Sequence, residues 1–484
     1  MTTRILELAL ANALMLALGC GLMPALRLAR TRRELLARLP LAYAVGLAAT
    51  GILAADLAVV DVPVGRIVLA VLAAGSLALG LRALPGGPRR SRTRIRPAEL
   101  PALALLAVAA AFAVPAARLF GVKPLLEYDG WAIWATRARA LYVFGHPAAP
   151  VFTDSAYPAL QHPLLLPALE AVDFRFMGAF DGTLVHLQLL GLAVGFVGGS
   201  WTLLRGTTRP VLLAATLLAV VTAPSFFNQL QTNYADVPLA MFVALGVAAL
   251  AAWLRTADRG LLPAAALFLA AGALTKNEGE CFALTAFVAA ALVVRVGQRR
   301  PLAVAASAVL AADLPWRIWL QVNHVKIAEY SLSNLFSPSY LSGQSGRVGP
   351  SSRALWTQIA RTESWSRLVP LVLLALVGAG VLRRFRLALF GAGWLLLSFV
   401  GLVAIYWIST NTVESNLSNS SDRTIDSLLL AGALLVPVLL AADRGGGIPD
   451  AAPAGRARRQ LRDRWRVARP RGLRYPRGSE PPPA

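Results

Sequence analysis

The chain has 484 residues, 57% of them hydrophobic and only 15% charged, with a net charge of +22 and a mean hydropathy of +0.60. A soluble protein of this length needs far more polar surface, so the composition excludes one and points to a polytopic membrane protein. The arginines fall in short loops between apolar runs and in a C-terminal tail, a distribution that sets membrane orientation and argues against nucleic-acid binding.

The N-terminal run "LELALANALMLALGCGLMPAL" has no small-residue cleavage site ahead of a soluble domain, and more runs follow. It therefore reads as a first transmembrane helix and not as a signal peptide. Apolar runs of helical length continue at 39–60, 64–84, 99–120, 184–204, 210–227, 237–254, 261–275, 280–295, 302–320, 368–382, 387–408 and 425–441. Backbone groups in lipid must be satisfied within their own segment, so these runs are expected to be helices. The expected fold is all-α and polytopic, with about 11–13 transmembrane helices. Cys20 and Cys281 sit inside apolar runs and read as small core residues, too few for a disulfide framework.

Of the 47 Lys and Arg, 32 lie in one set of alternate connections: 27–38, 82–96, 205–209, 255–259, 295–300, 383–386 and the tail. The positive-inside rule places that set in the cytoplasm. The N-terminus and the long segments 121–183, 321–367 and 409–424 then face outside, joined there by the turns 228–236 and 276–279. The tail from 442 to 484, rich in Arg, Pro and Gly, reads as a disordered basic segment lying on anionic headgroups.

Charge is costly at membrane depth, so polar clusters at helix ends need a reason. Five lie on the expected outer face. In "LLEYDGWAIWATRARALYVF" (125–144), Trp131, Trp134, Ala138, Leu141 and Tyr142 share one helical stripe with Arg137 and Arg139 on its flanks. This reads as an amphipathic juxtamembrane helix with its rings at headgroup depth. Asp129 just ahead of it reads either as an N-cap or as a functional carboxylate, and Glu127 as a solvated loop residue. His162 precedes Pro163 at a helix start, where it either faces water or meets a phosphate or hydroxyl at the rim. In "NQLQTNYADVPLAMF", Tyr234 and Asp236 open the next such cluster, with Asp236 a natural cap. "LTKNEGECFAL" sets Lys276, Asn277 and Glu278 in a tight turn, either a plain polar hairpin or a site for an anionic group. In "SNLSNSSDRTIDSLL", Arg423 stands at the mouth of the last helix between Asp422 and Asp426, either as a surface ion pair or as a fork for a phosphate. Asn416 and Asn419 of that loop begin Asn-x-Ser sequons.

"EYDGWAIWATRARALY", "HPLLLPALEA", "NYADVPLAMF", "TKNEG" and "SDRTIDSLL", in this order, resemble the GT-C glycosyltransferases, integral membrane enzymes that use polyprenyl-phosphate sugars. The likeness is to the bacterial branch related to lipid-A and cell-wall sugar transferases. It covers about residues 99–441 by the extent of those motifs, leaving 1–98 as extra N-terminal helices and 442–484 as a tail.

The resemblance implies a catalytic carboxylate in the first large external loop, here Asp129, acting as general base on an acceptor hydroxyl. It implies cations near the departing lipid phosphate, here Lys276, Arg423 and, more weakly, Arg137. Substrate contacts would come from Glu127, Trp131, His162, Tyr234, Asp236, Asn277 and Glu278. The implied location is the bacterial plasma membrane, with the site facing outside and a glycan, lipid or protein acceptor in the cell envelope. Relatives often show two adjacent acids, whereas Tyr128 separates Glu127 from Asp129 here. The role of Glu127 and the holding of a divalent Mg or Mn ion stay open on that ground. No metal-binding spacing and no ATP-binding glycine loop occur in the sequence.

The competing reading is a transporter or flippase of a lipid-linked or small solute. It would place charges near mid-membrane on broken helices and show internal repeats. Here the polar residues gather toward one face and no clear repeat is visible.

Overall fold

The computed structural model describes residues 2–86, 99–325 and 332–441. The tail at 442–484, most of the 82–96 connection and part of the 321–367 segment lie outside the described residues. Among the described residues the regular structure is helical throughout, with no strand.

In chain order the first helices are α1 (Thr2–Ala25), α2 (Arg32–Ala37), α3 (Leu39–Val59), α4 (Arg66–Ala83) and α5 (Leu100–Phe120). Then come α6 (Thr136–Phe144), α7 (Leu165–Met177), α8 (Val185–Leu204), α9 (Pro210–Val221), α10 (Pro224–Gln229) and α11 (Asp236–Thr256). They are followed by α12 (Leu261–Ala273), α13 (Glu278–Val293), α14 (Arg299–Val322), α15 (Pro338–Gly343), α16 (Val348–Ala360) and α17 (Thr362–Trp365). The last are α18 (Leu368–Val381), α19 (Phe385–Ile408), α20 (Val413–Ser420) and α21 (Asp426–Leu439). Each apolar run read from the sequence is one of these helices, except 210–227, which is divided between α9 and α10. Eight are long and apolar enough to cross a membrane, and four shorter apolar ones, α9, α12, α18 and α21, accompany them. The protein is an all-α polytopic membrane protein.

α11 is the centre of the bundle. Every residue from Asp236 to Leu254 is buried, as expected of a helix that is hydrophobic on all sides. It packs against α12, α21 and α8, while α1 packs against α3 and α4. α14 and α19 instead turn large side chains outward, among them Leu310 and Leu396.

Successive helices alternate between two faces. On one face Arg4 pairs with Asp181 at 2.9 Å, and Arg66 lies 3.4 Å from Glu7 and donates to the Phe176 carbonyl, which ties the start of α1 and of α4 to the 121–183 segment. On the other face arginine side chains donate to carbonyls at helix ends. Arg32 reaches Leu81 at 3.2 Å, Arg205 reaches Ala37 at 3.2 Å, Arg386 reaches Val293 at 2.9 Å and Arg384 reaches Leu439 at 2.8 Å. The last carbonyls of a helix have no partner within it and carry its negative dipole end, so a guanidinium satisfies both. Basic residues of these connections therefore close helix termini.

Candidate functional site

The segment after α5 carries the first carboxylate. It runs through a π-helical turn, Gly130–Ala135, before α6 begins. Gly130 lies so close to the carbonyl of Thr232 that a Cβ there would collide with it. That contact brings Asp129 beside the turn that leads into α11. In the same turn Asn233 takes a left-handed backbone, φ 54°, which asparagine tolerates better than most residues.

Asp129 does not cap a helix. Its backbone is already helical and its side chain makes no capping bond; Arg423 binds its Oδ2 instead. Asp236 likewise makes no cap: it is the first residue of α11, and its Oδ1 accepts from Lys276 Nζ at 2.7 Å. In both places the local reading yields to a cation distant in sequence, because a helix end offers a carboxylate only a partial positive charge and a buried guanidinium or ammonium a full one.

Arg423 is no surface residue. It is buried, its Nη1 lies 3.8 Å from Asp236 Oδ2, and its guanidinium sits 4.3 Å from the centre of the Tyr234 ring. Burial opposes its charge, but Asp236 and Asp129 overcome that and hold its pKa above the usual range. Lys276, in the turn between α12 and α13, is buried as well and also lies 3.1 Å from Glu278 Oε1. Burial alone would push its pKa down; Asp236 and Glu278 reverse the shift and raise it. The result is one continuous chain of charge, Asp129–Arg423–Asp236–Lys276–Glu278.

That chain opens on a cavity of about 510 Å³. Of the residues singled out from sequence, Asp129, His162, Tyr234, Asp236, Lys276, Glu278 and Arg423 line it. Glu127, Trp131, Arg137 and Asn277 do not. Glu127 turns to Lys123 at 2.6 Å, and that bond outweighs its burial and lowers its pKa. Trp131 stays half exposed, edge-on to Tyr128 with ring centroids 5.4 Å apart, and Asn277 Oδ1 accepts from Arg317 at 3.0 Å.

Arg137 is the largest departure. The amphipathic pattern puts it on a solvated flank, yet it is 2% exposed and donates to the carbonyls of His162 at 2.7 Å and Ala159 at 3.4 Å. Its guanidinium lies 5.1 Å from the Phe152 ring centre and 5.7 Å from that of Trp316. With no carboxylate beside it, burial pushes its pKa down to about 9. It braces the wall that carries His162 and does not reach the cavity.

His162 is buried against Trp134, ring centroids 5.4 Å apart, and so does not stand in water. Burial, with Lys276 and Arg137 nearby, holds its pKa well below the ordinary value of 6.5, so the ring is neutral at pH 7. The unfolded chain takes up a proton below about 6.5 that the folded state refuses. Stability is thus full above that pH and falls as pH drops, by at most roughly 1.4 kcal/mol per unit. Thermal unfolding at pH 7.5 and 5.5 is expected to show a smaller acid loss for His162→Gln than for wild type; equal losses would mean that His162 is protonated when folded.

Sequence reasoning missed much of the wall. Tyr128, Trp134 and Tyr406 supply rings, and Ser409, Asn411, Asn416, Asn419 and Ser420 supply amides and hydroxyls. Tyr406 meets Ser420 at 2.8 Å and Thr424 at 2.9 Å, while Arg347 donates to the Asn411 carbonyl at 2.9 Å and fixes the rim. The available signal was the density of Asn and Ser directly before Arg423. Glu170 and Asp173 of α7 were also passed over. Both are fully buried, and among the described residues no cation pairs with them. Burial raises both pKa values well above the usual carboxylate range.

Comparison with known proteins gives no match. No family model, no curated protein and no solved structure matches this chain. The site has to be read from its own chemistry.

A divalent ion does not fit that chemistry. Asp129 and Asp236 are each already bound to a cation, and among the described residues no three His, Cys, Asp or Glu side chains converge on one point.

Proposed function

We propose that the protein is a membrane glycosyltransferase that moves a sugar from a polyprenyl-phosphate donor to a glycan, lipid or protein acceptor, outside the bacterial plasma membrane. One observation carries the reading. A carboxylate, two buried cations and a wall of aromatic rings, amides and hydroxyls meet in one cavity at the helix ends of a membrane bundle. Its volume lies in the range that holds small ligands. Rings and amides are the groups that grip sugar faces and hydroxyls, and cations suit a phosphate.

Asp129 binds Arg423 through Oδ2, which fixes the carboxylate and leaves Oδ1 for an acceptor hydroxyl. In a single displacement Oδ1 takes the hydroxyl proton as the acceptor oxygen attacks the anomeric carbon. The bond from that carbon to the phosphate oxygen breaks, and polyprenyl phosphate leaves with the electron pair. Arg423 and Lys276 offset the charge that develops on it. Each keeps donors beyond those its carboxylates occupy, since a guanidinium carries five N–H groups and an ammonium three. Tyr234 and Asp236 position Arg423.

Asn419 is an exposed residue on the cavity rim, which allows a direct test. In a background with Cys20 and Cys281 replaced by alanine, Asn419→Cys is expected to react with a membrane-impermeant maleimide in intact cells. In proteoliposomes a polyprenyl-phosphate hexose is expected to slow that reaction. Labelling only in inverted vesicles would reverse the assigned side, and labelling untouched by the donor would remove the donor from the cavity.

A further inference from the structure

On the face opposite the cavity, α1 ends close to where α12 and α14 begin. A Cβ at Gly260 would sit 2.6 Å from the carbonyl oxygen of Arg27, so the two backbones touch and Arg259 stands beside Arg27. Arg27 holds a left-handed backbone there, φ 58°, which a residue other than glycine adopts only at some cost. Arg300 arrives from the first turn of α14. The three arginines share the mouth of a cavity of about 970 Å³, and a neighbouring one of about 610 Å³ adds Arg30 to Arg27 and Arg259.

Beyond the mouth the walls are apolar, with Ile52, Ala266, Ala270, Val304, Ala308 and Ala312 among them. From Arg300 to Ala312 the slot follows α14 for about 18 Å at 1.5 Å per residue. The hydrocarbon of one leaflet is about 15 Å deep. Val304 is 63% exposed and Ala308, one turn on, is exposed as well, so the slot side of α14 faces the lipid. Among the described residues the guanidiniums of Arg27, Arg259 and Arg300 have no ion-pair or hydrogen-bond partner. The nearby acids are otherwise engaged: Asp258 accepts from the Gly260 amide at 2.9 Å, and Glu34 from the Arg30 amide at 2.8 Å.

We infer that this cavity is a binding site for an anionic diacyl phospholipid, its phosphate on Arg27, Arg259 and Arg300 and an acyl chain in the slot along α14. Three unpaired cations set the charge of the ligand. An apolar slot one leaflet deep sets its tail, and a soluble phosphate would leave that slot unused. The inference does not depend on the reaction assigned to the opposite face.

The test is native mass spectrometry of the delipidated full-length protein titrated with phosphatidylglycerol or phosphatidylcholine of identical chains. Phosphatidylglycerol is expected to bind at least about tenfold more tightly. The combined Arg27→Gln, Arg259→Gln and Arg300→Gln variant is expected to abolish that preference. Ala308→Trp, which fills the slot and keeps the charges, is expected to weaken both lipids, and millimolar inorganic phosphate to displace neither. Circular dichroism confirms that each variant is folded. Equal binding of the two lipids, an unchanged preference in the triple variant, or displacement by inorganic phosphate would each overturn the site.

Discussion

Asp129→Asn is expected to lower the rate of sugar transfer by about 10²–10⁴-fold, the range lost when a general base is removed. Asparagine keeps the size of the side chain and an oxygen for Arg423, so the cavity persists while the group that accepts the proton is gone. Because the loss falls on the chemical step, kcat drops and KM for the donor stays within a few-fold. Glu127→Gln serves as the internal control. Its carboxylate is held by Lys123, which also donates to the Gln231 carbonyl at 2.7 Å, and it does not line the cavity. Its activity is expected to remain close to wild type. A steady-state assay of both variants decides the matter: an active Asp129→Asn enzyme, or an inactive Glu127→Gln one, would move the base elsewhere.

Lys276→Met is expected to be the most destabilising single change in the site. Asp236 is 3% exposed, and without Lys276 its nearest cation is Arg423 at 3.8 Å. Breaking a buried ion pair from one side typically costs about 3–5 kcal/mol, because the remaining charge is buried without compensation. Glu278 loses the same partner. Adding Asp236→Asn removes the stranded charge, so the double variant is expected to recover much of the lost stability while staying inactive. Thermal unfolding in lipid nanodiscs measures this. A single variant that unfolds like wild type, or a double variant less stable than the single, would mean that the pair does not hold the α11 and α12 ends together.

The bundle was legible in the sequence because lipid leaves the backbone no alternative to helix, and each apolar run is helical, 210–227 as two helices. The alternation of basic loops was legible for a related reason, since the same arginines close helix ends on one face. Asp129, Lys276 and Arg423 were expected on a common face, and they meet in one cavity. Their pairing was not readable. Capping is a local rule, and Asp129 and Asp236 break it for cations that arrive from other helices. Arg137 was misplaced because helical spacing assigns sides but cannot say that Trp316 and Phe152 wait on the inner one. Glu170 and Asp173 stayed hidden because acids three apart on a short helix look the same on a surface as in a core. The π-helical turn at Gly130–Ala135 has no sequence signature at all; it begins where Gly130 meets the Thr232 carbonyl.

The most direct measurement is transfer itself. Purified protein in sealed liposomes is given polyprenyl phosphate carrying a radiolabelled hexose or pentose, with a cell-envelope glycan fraction as acceptor. The expected result is label in the glycan, one polyprenyl phosphate released for each sugar moved, and loss of both signals in Arg423→Gln. Label that crosses the bilayer still attached to its lipid, with no polyprenyl phosphate released, would contradict the account and make the protein a transporter.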